Sequence, residues 1–124
     1  MLALPFSSFA KESNLPTIQP YYVYTSTIDT NLSISSTGVA DVKAKIIGNL
    51  STTSVRVNAY LQRYSGGSWI TVDSWSQSSN SSRTTLQKNV VVTKGYQYRV
   101  QASYYAYVGS QYEHLVRYSS VVWY

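Results

Sequence analysis

Tyr96-Gln97-Tyr98-Arg99-Val100-Gln101-Ala102-Ser103-Tyr104-Tyr105-Ala106-Tyr107-Val108 is the stretch that decides the fold. Its residues separate by parity. Tyr96, Tyr98, Val100, Ala102, Tyr104, Ala106 and Val108 form one set; Gln97, Arg99, Gln101, Ser103, Tyr105 and Tyr107 form the other. A period of two describes a strand with one face in a core and the other in water.

The same grammar runs outward in both directions. Ala40, Val42, Ala44 and Ile46 alternate with Asp41, Lys43 and Lys45, and Val55, Val57, Ala59 and Leu61 alternate with Arg56, Asn58, Tyr60 and Gln62. Ile28, Leu32 and Ile34 share parity before Ser35-Ser36-Thr37-Gly38. Ser65-Gly66-Gly67-Ser68 is a hairpin signal, since glycine reaches the positive φ of tight hairpin turns. Trp69, Ile70, Val72 and Trp75 keep no single parity, which predicts a bulge or an edge strand covered on both sides. Trp69 and Trp75 are accordingly assigned to structure. Ser76 to Arg83 reads as a loop. Leu86, Val90 and Val92 form a further strand ending at Lys94-Gly95, and Gln111 to Tyr118 forms the last, running on into Val121-Val122-Trp123-Tyr124. No window carries helical periodicity. About seven strands at short spacing with glycine turns predict an all-β sandwich or barrel.

With 124 residues the chain fits one domain, expected over 21–124. It has no cysteine, which excludes disulfides and thiolate metal sites and, in a Ser-, Thr- and Tyr-rich chain, fits a bacterial exported protein. The net charge of +5 on few charged residues gives a mild positive field suited to anionic polymers, or serving solubility alone. Leu2-Ala3-Leu4-Pro5-Phe6-Ser7-Ser8-Phe9-Ala10 resembles the end of a signal peptide with a small-x-small cleavage site. Residues 1–10 are thus expected to be a leader remnant, with an apolar tail as the alternative, and residues 11–20 a linker. A secreted or cell-surface location follows. No stretch has the roughly 20 apolar residues of a membrane-spanning helix.

Val90-Val91-Val92-Thr93-Lys94-Gly95-Tyr96-Gln97-Tyr98-Arg99-Val100-Gln101-Ala102 favours the sandwich. A strand, a Gly corner and Tyr-x-Val-x-Ala resemble the corner between strands E and F of fibronectin type III and related immunoglobulin-like domains. The resemblance implies that Tyr98 is the corner tyrosine, bonding back to the backbone near Gly95. It also implies that the strands holding Tyr60 and Tyr105 are neighbours.

A broader resemblance spans about Tyr21 to Ser120. It rests on Tyr22-Val23-Tyr24-Thr25-Ser26-Thr27-Ile28, Tyr60-Leu61-Gln62-Arg63, Gly67-Ser68-Trp69-Ile70-Thr71-Val72-Asp73-Ser74-Trp75-Ser76, Lys94-Gly95-Tyr96-Gln97-Tyr98-Arg99-Val100 and Tyr118-Ser119-Ser120. The sequence is similar to a family of small exported β-sandwich proteins of clostridia and related Gram-positive bacteria with no assigned function. That resemblance implies export and fold, and it leaves Val121 to Tyr124 unexplained.

The inventory for catalysis is thin: His114 and five acids, Glu12, Asp29, Asp41, Asp73 and Glu113. Paired-carboxylate chemistry needs two acids facing one bond, whereas Asp73 and Glu113 are expected at opposite edges of one sheet. Glu113 and His114 are neighbours on a strand and point to opposite faces. No Gly-x-Ser-x-Gly elbow occurs, and no second imidazole or thiolate accompanies His114 for zinc. The chain is read as no enzyme, with no cofactor and no metal.

What remains is a surface. Outward residues Arg56, Tyr60 and Tyr64 on one strand join Arg99, Tyr105 and Tyr107 on its neighbour as candidate binding residues. Such a face suits sugars, through ring stacking and hydrogen bonds, or a protein partner. Equally, cross-strand aromatic pairs stabilise a sheet by roughly 0.2–1 kcal/mol each. The expected partner is a protein or an anionic or neutral envelope polysaccharide. A self-assembling structural role through the last strand and tail, giving a homo-oligomer, is the alternative. Dispersed cations and the lack of a recognition helix leave single-stranded nucleic acid as a minor one.

Overall fold

The computed structural model describes residues 23–124, which form two antiparallel sheets packed as a β-sandwich. The expected leader and linker, 1–10 and 11–20, lie outside the described residues. The strands are β1 (Thr25–Ile34), β2 (Val39–Gly48), β3 (Ser54–Ser65), β4 (Ser68–Ser79), β5 (Arg83–Val91), β6 (Gln97–Val108), β7 (Gln111–Tyr118) and β8 (Val122–Trp123). One sheet has the order β1-β2-β5, the other β4-β3-β6-β7, and β8 pairs with β6 beyond the end of β7. No helix among the described residues is long and apolar enough to cross a membrane.

The core is the sum of the inward parities. Ala40, Val42, Ala44, Ile46 and Leu86 from the smaller sheet meet Val55, Val57, Ala59, Leu61, Tyr98, Val100, Ala102, Tyr104 and Ala106 from the larger, all buried. Fully burying each large aliphatic side chain contributes about 1.5–3 kcal/mol. Large and small residues alternate across β3 and β6: Val57 faces Tyr104, Ala59 faces Ala102, and Leu61 faces Val100. The small pair leaves room for Tyr104, whose ring crosses toward β1. Its hydroxyl donates to the Asp29 carbonyl at 3.0 Å and lies 2.7 Å from the Thr30 hydroxyl. Burial, as the main cause, pushes the Tyr104 pKa up to about 12. Tyr98, buried at the other end of β6, donates its hydroxyl to the Thr93 carbonyl at 2.5 Å.

The irregular Trp69–Ser76 stretch is an edge strand with a bulge. Leu61 lies opposite Asp73 and Gln62 opposite Thr71, which leaves Val72 as the extra residue. Parity inverts there, so Trp75, opposite Ala59, packs against the core, while Trp69, opposite Tyr64, lies on the outer face. Trp69 therefore joins the candidate face rather than the core. The loop expected over Ser76 to Arg83 is shorter: Ser76 to Ser79 pair with Asn58 to Val55. An edge strand exposed along one side needs no apolar residues to hold backbone pairing, so composition alone did not reveal it.

The tail is part of the sheet. Trp123 lies opposite Gln97 and Val122 opposite Tyr98. Gly95 N donates to Tyr124 O at 2.6 Å, and Tyr124 N to Tyr96 O at 3.0 Å. The Tyr124 ring reaches the other sheet at Gly38, whose φ is +87° and where an added Cβ would stand 2.7 Å from the Tyr124 hydroxyl oxygen. The tail thus clasps the two sheets at one end, its inner edge already occupied by β6.

Candidate binding face

The outer surface of β4-β3-β6-β7 carries the candidate residues, and its register groups them. Arg56 lies opposite Tyr105, Asn58 opposite Ser103, Tyr60 opposite Gln101, and Gln62 opposite Arg99. On the far side of β6, Tyr105 faces His114, Tyr107 faces Tyr112, and Gln101 faces Tyr118. The six candidates share one surface but fall into two clusters with Tyr60 between them.

The first cluster centres on Tyr105. The Arg56 guanidinium lies 4.8 Å from its ring centroid, and the His114 ring stacks on it at 4.4 Å with planes 2° apart. Because β3 and β7 flank β6, these neighbours approach the Tyr105 ring from its two sides. Tyr107 and Tyr112 extend the cluster at 6.4 and 6.0 Å from Tyr105. The Arg56 Nε is buried without a hydrogen-bond partner.

The second cluster centres on Arg99. Its guanidinium sits between Trp69 at 4.4 Å and Tyr118 at 4.5 Å. Arg99 Nε donates to Gln62 Oε1 at 2.8 Å, and Gln62 Nε2 donates to Gln101 Oε1 at 2.9 Å. Tyr64 meets Trp69 edge to face at 5.3 Å. Each contact of a guanidinium with an aromatic face contributes about 0.5–1 kcal/mol at an exposed site.

The Tyr105 ring is covered by its neighbours, and Arg99 takes up one face each of Trp69 and Tyr118, which alters the chemistry expected of them. A sugar or base cannot lie flat on Tyr105 while Arg56 and His114 hold its two sides. The surface instead offers ring edges, tyrosine hydroxyls, amides and guanidinium nitrogens, together with Tyr112 and Tyr118, which are 59% and 52% exposed. Reading one strand pair at a time missed Tyr112, His114, Tyr118 and Trp69. The first three share parity on β7 and become visible once β7 is laid beside β6 through the Gly109-Ser110 turn.

Among the described residues no acid reaches this face. Asp73 lies on β4 opposite Leu61, on the core side, and Glu113 lies on β7 opposite Ala106, also on the core side. These two strands form opposite edges of the sheet, and the Glu113 carboxylate accepts from Val23 N at 2.8 Å and Tyr24 N at 3.2 Å. Among the described residues no three His, Asp or Glu side chains come together as a metal site would need.

Among the described residues, clefts open at the sides of the sandwich, two of them small. One, of about 100 Å³, is lined by Val72, Val90, Arg63 and Asp73 among others. The other, of about 240 Å³, lies between β1 and β7 near Asp29 and Arg117. Small-molecule sites commonly enclose about 300–1,000 Å³, so neither cleft matches the broad face as a place for a ligand.

No protein-family model matches this chain, and no curated protein matches it.

Proposed function

We propose that the protein is a non-catalytic binding module, exported to the cell surface or its surroundings, whose β4-β3-β6-β7 face contacts a protein or an envelope polysaccharide. The observation that carries this reading is the convergence of Arg56, Arg99, Trp69, His114 and six tyrosines on one surface to which no acid among the described residues contributes. Tyr and Arg are the residue types that most often anchor interfaces. The strand order β1-β2-β5 against β4-β3-β6-β7, with the Tyr98 hydroxyl bonded to Thr93, supports an immunoglobulin-like, fibronectin type III-like sandwich. In such sandwiches function resides in surfaces grafted on a stable frame. Export and kinship with small Gram-positive exported proteins are part of the proposal and rest on the motifs quoted above.

The test is retention of the purified protein on intact Gram-positive envelope. Tyr60→Ala and Tyr105→Ala together should abolish retention while leaving the protein folded by circular dichroism. Unchanged retention in the folded double variant would sink the reading.

A further inference from the structure

We infer that the occupant of this face is an anionic polysaccharide, laid along β3 and β6 from the Arg56 stack to the Arg99 stack. This rests on the binding-module reading and adds the ligand's chemistry.

Charge complementarity gives the sign. Both acids on the strands of the sheet turn inward, so Arg56 and Arg99 have no carboxylate beside them on the surface. The outer surface of β1-β2-β5 differs: Lys43 and Lys45 share it with Asp41, and Asp29 lies opposite Lys45. Among the described residues only the aromatic face is of one sign.

Spacing gives the length. Six positions separate Arg56 from Gln62, the residue opposite Arg99. At about 3.3 Å per residue the two cations stand roughly 20 Å apart, a span for a polymer rather than a single sugar. Between them lie Asn58, Ser103, Tyr60 and Gln101, in two facing pairs. These amides and hydroxyls both donate and accept, which matches the hydroxyls of a glycan.

The covered ring faces separate this occupant from nucleic acid. Single strands bind open aromatic faces on which bases stack. Tyr105 is enclosed by Arg56 and His114, and Arg99 lies between Trp69 and Tyr118. A polymer read by hydroxyls and isolated charges fits the row between the two stacks; stacking on the exposed Tyr112 and Tyr118 is the outcome that oligothymidylate tests.

The experiment titrates the full chain with polygalacturonate, neutral pullulan and oligothymidylate at low salt. Polygalacturonate should bind above pullulan and oligothymidylate. Its affinity should fall about tenfold or more in R56Q, the loss of a charge-assisted hydrogen bond, and similarly in R99Q. R56K should retain part of the binding, and K43Q with K45Q on the opposite sheet should leave it unchanged. R56Q decides alone if R99Q does not fold. Equal binding of the two polysaccharides, preference for oligothymidylate, or equal loss in K43Q/K45Q would overturn the inference. Envelope retention without polygalacturonate binding would overturn it while sparing the binding-module reading; loss of both would remove the two together.

Discussion

The Tyr105 and His114 rings lie 4.4 Å apart with planes 2° from parallel, one on β6 and the other directly opposite on β7. With Arg56 on the other side of Tyr105, a cation, a phenol and an imidazole form one row across three strands. The row stacks side chains across the sheet, so stability and the proposed binding depend on the same residues. His114→Ala should lower unfolding free energy by about 0.5–1.5 kcal/mol, the range for a stacked aromatic pair. Urea denaturation checks this, and no change would show that the stack adds nothing in solution.

Tyr104 makes stability fall in alkali. Its folded pKa of about 12 stands above the ordinary tyrosine value of 10.0. Its contribution is therefore complete below pH 10 and is lost as pH rises toward 12, because the unfolded chain ionises first. The loss from this group is on the order of 2–3 kcal/mol. Tyr104→Phe should be less stable than the parent at neutral pH by about 1–2 kcal/mol, through the unpaired Asp29 carbonyl. It should also lack this part of the alkaline decline, which urea titrations at pH 8 and pH 11 measure.

The Tyr98 hydroxyl, which donates to Thr93 O, holds the corner before β6. Tyr98→Phe should cost about 1–2 kcal/mol with the fold unchanged. Thermal melting checks the loss, and circular dichroism checks the fold.

Removing residues 121–124 should destabilise the monomer, because the tail supplies β8, two backbone bonds at Gly95 and Tyr96, and the Tyr124 ring over Gly38. Gly38→Ala should cost about 1–3 kcal/mol for the same clasp, from positive φ and the displaced ring. A lowered melting temperature at unchanged sedimentation mass is the expected result. A change in mass at unchanged melting temperature would favour assembly through the tail.

The sandwich was legible because the inward sets on β2, β3 and β6 run unbroken, and one uninterrupted parity fixes which face meets the core. Trp69 was not, because a single extra residue at Val72 inverts the parity of everything on one side of it. The candidate face was legible in its members and illegible in its grouping. Parity places Arg56 and Tyr105 on one surface, but only register places them opposite each other and brings His114 to the far side. The covered ring faces depend on rotamers, which no pattern of residue types encodes. The tail's role was hidden for a related reason: its partner strand lies far away in sequence.

On the proposed reading, the β4-β3-β6-β7 face is where the protein meets its partner. Backbone amide NMR mapping during titration with solubilised Gram-positive wall polysaccharide tests it most directly. Shifts should concentrate on Arg56, Asn58, Tyr60, Arg99, Gln101, Tyr105 and His114, and vanish in the Tyr60→Ala/Tyr105→Ala variant. Shifts centred on Lys43, Lys45 and Gln87 of the opposite sheet, or persisting undiminished in that variant, would contradict it.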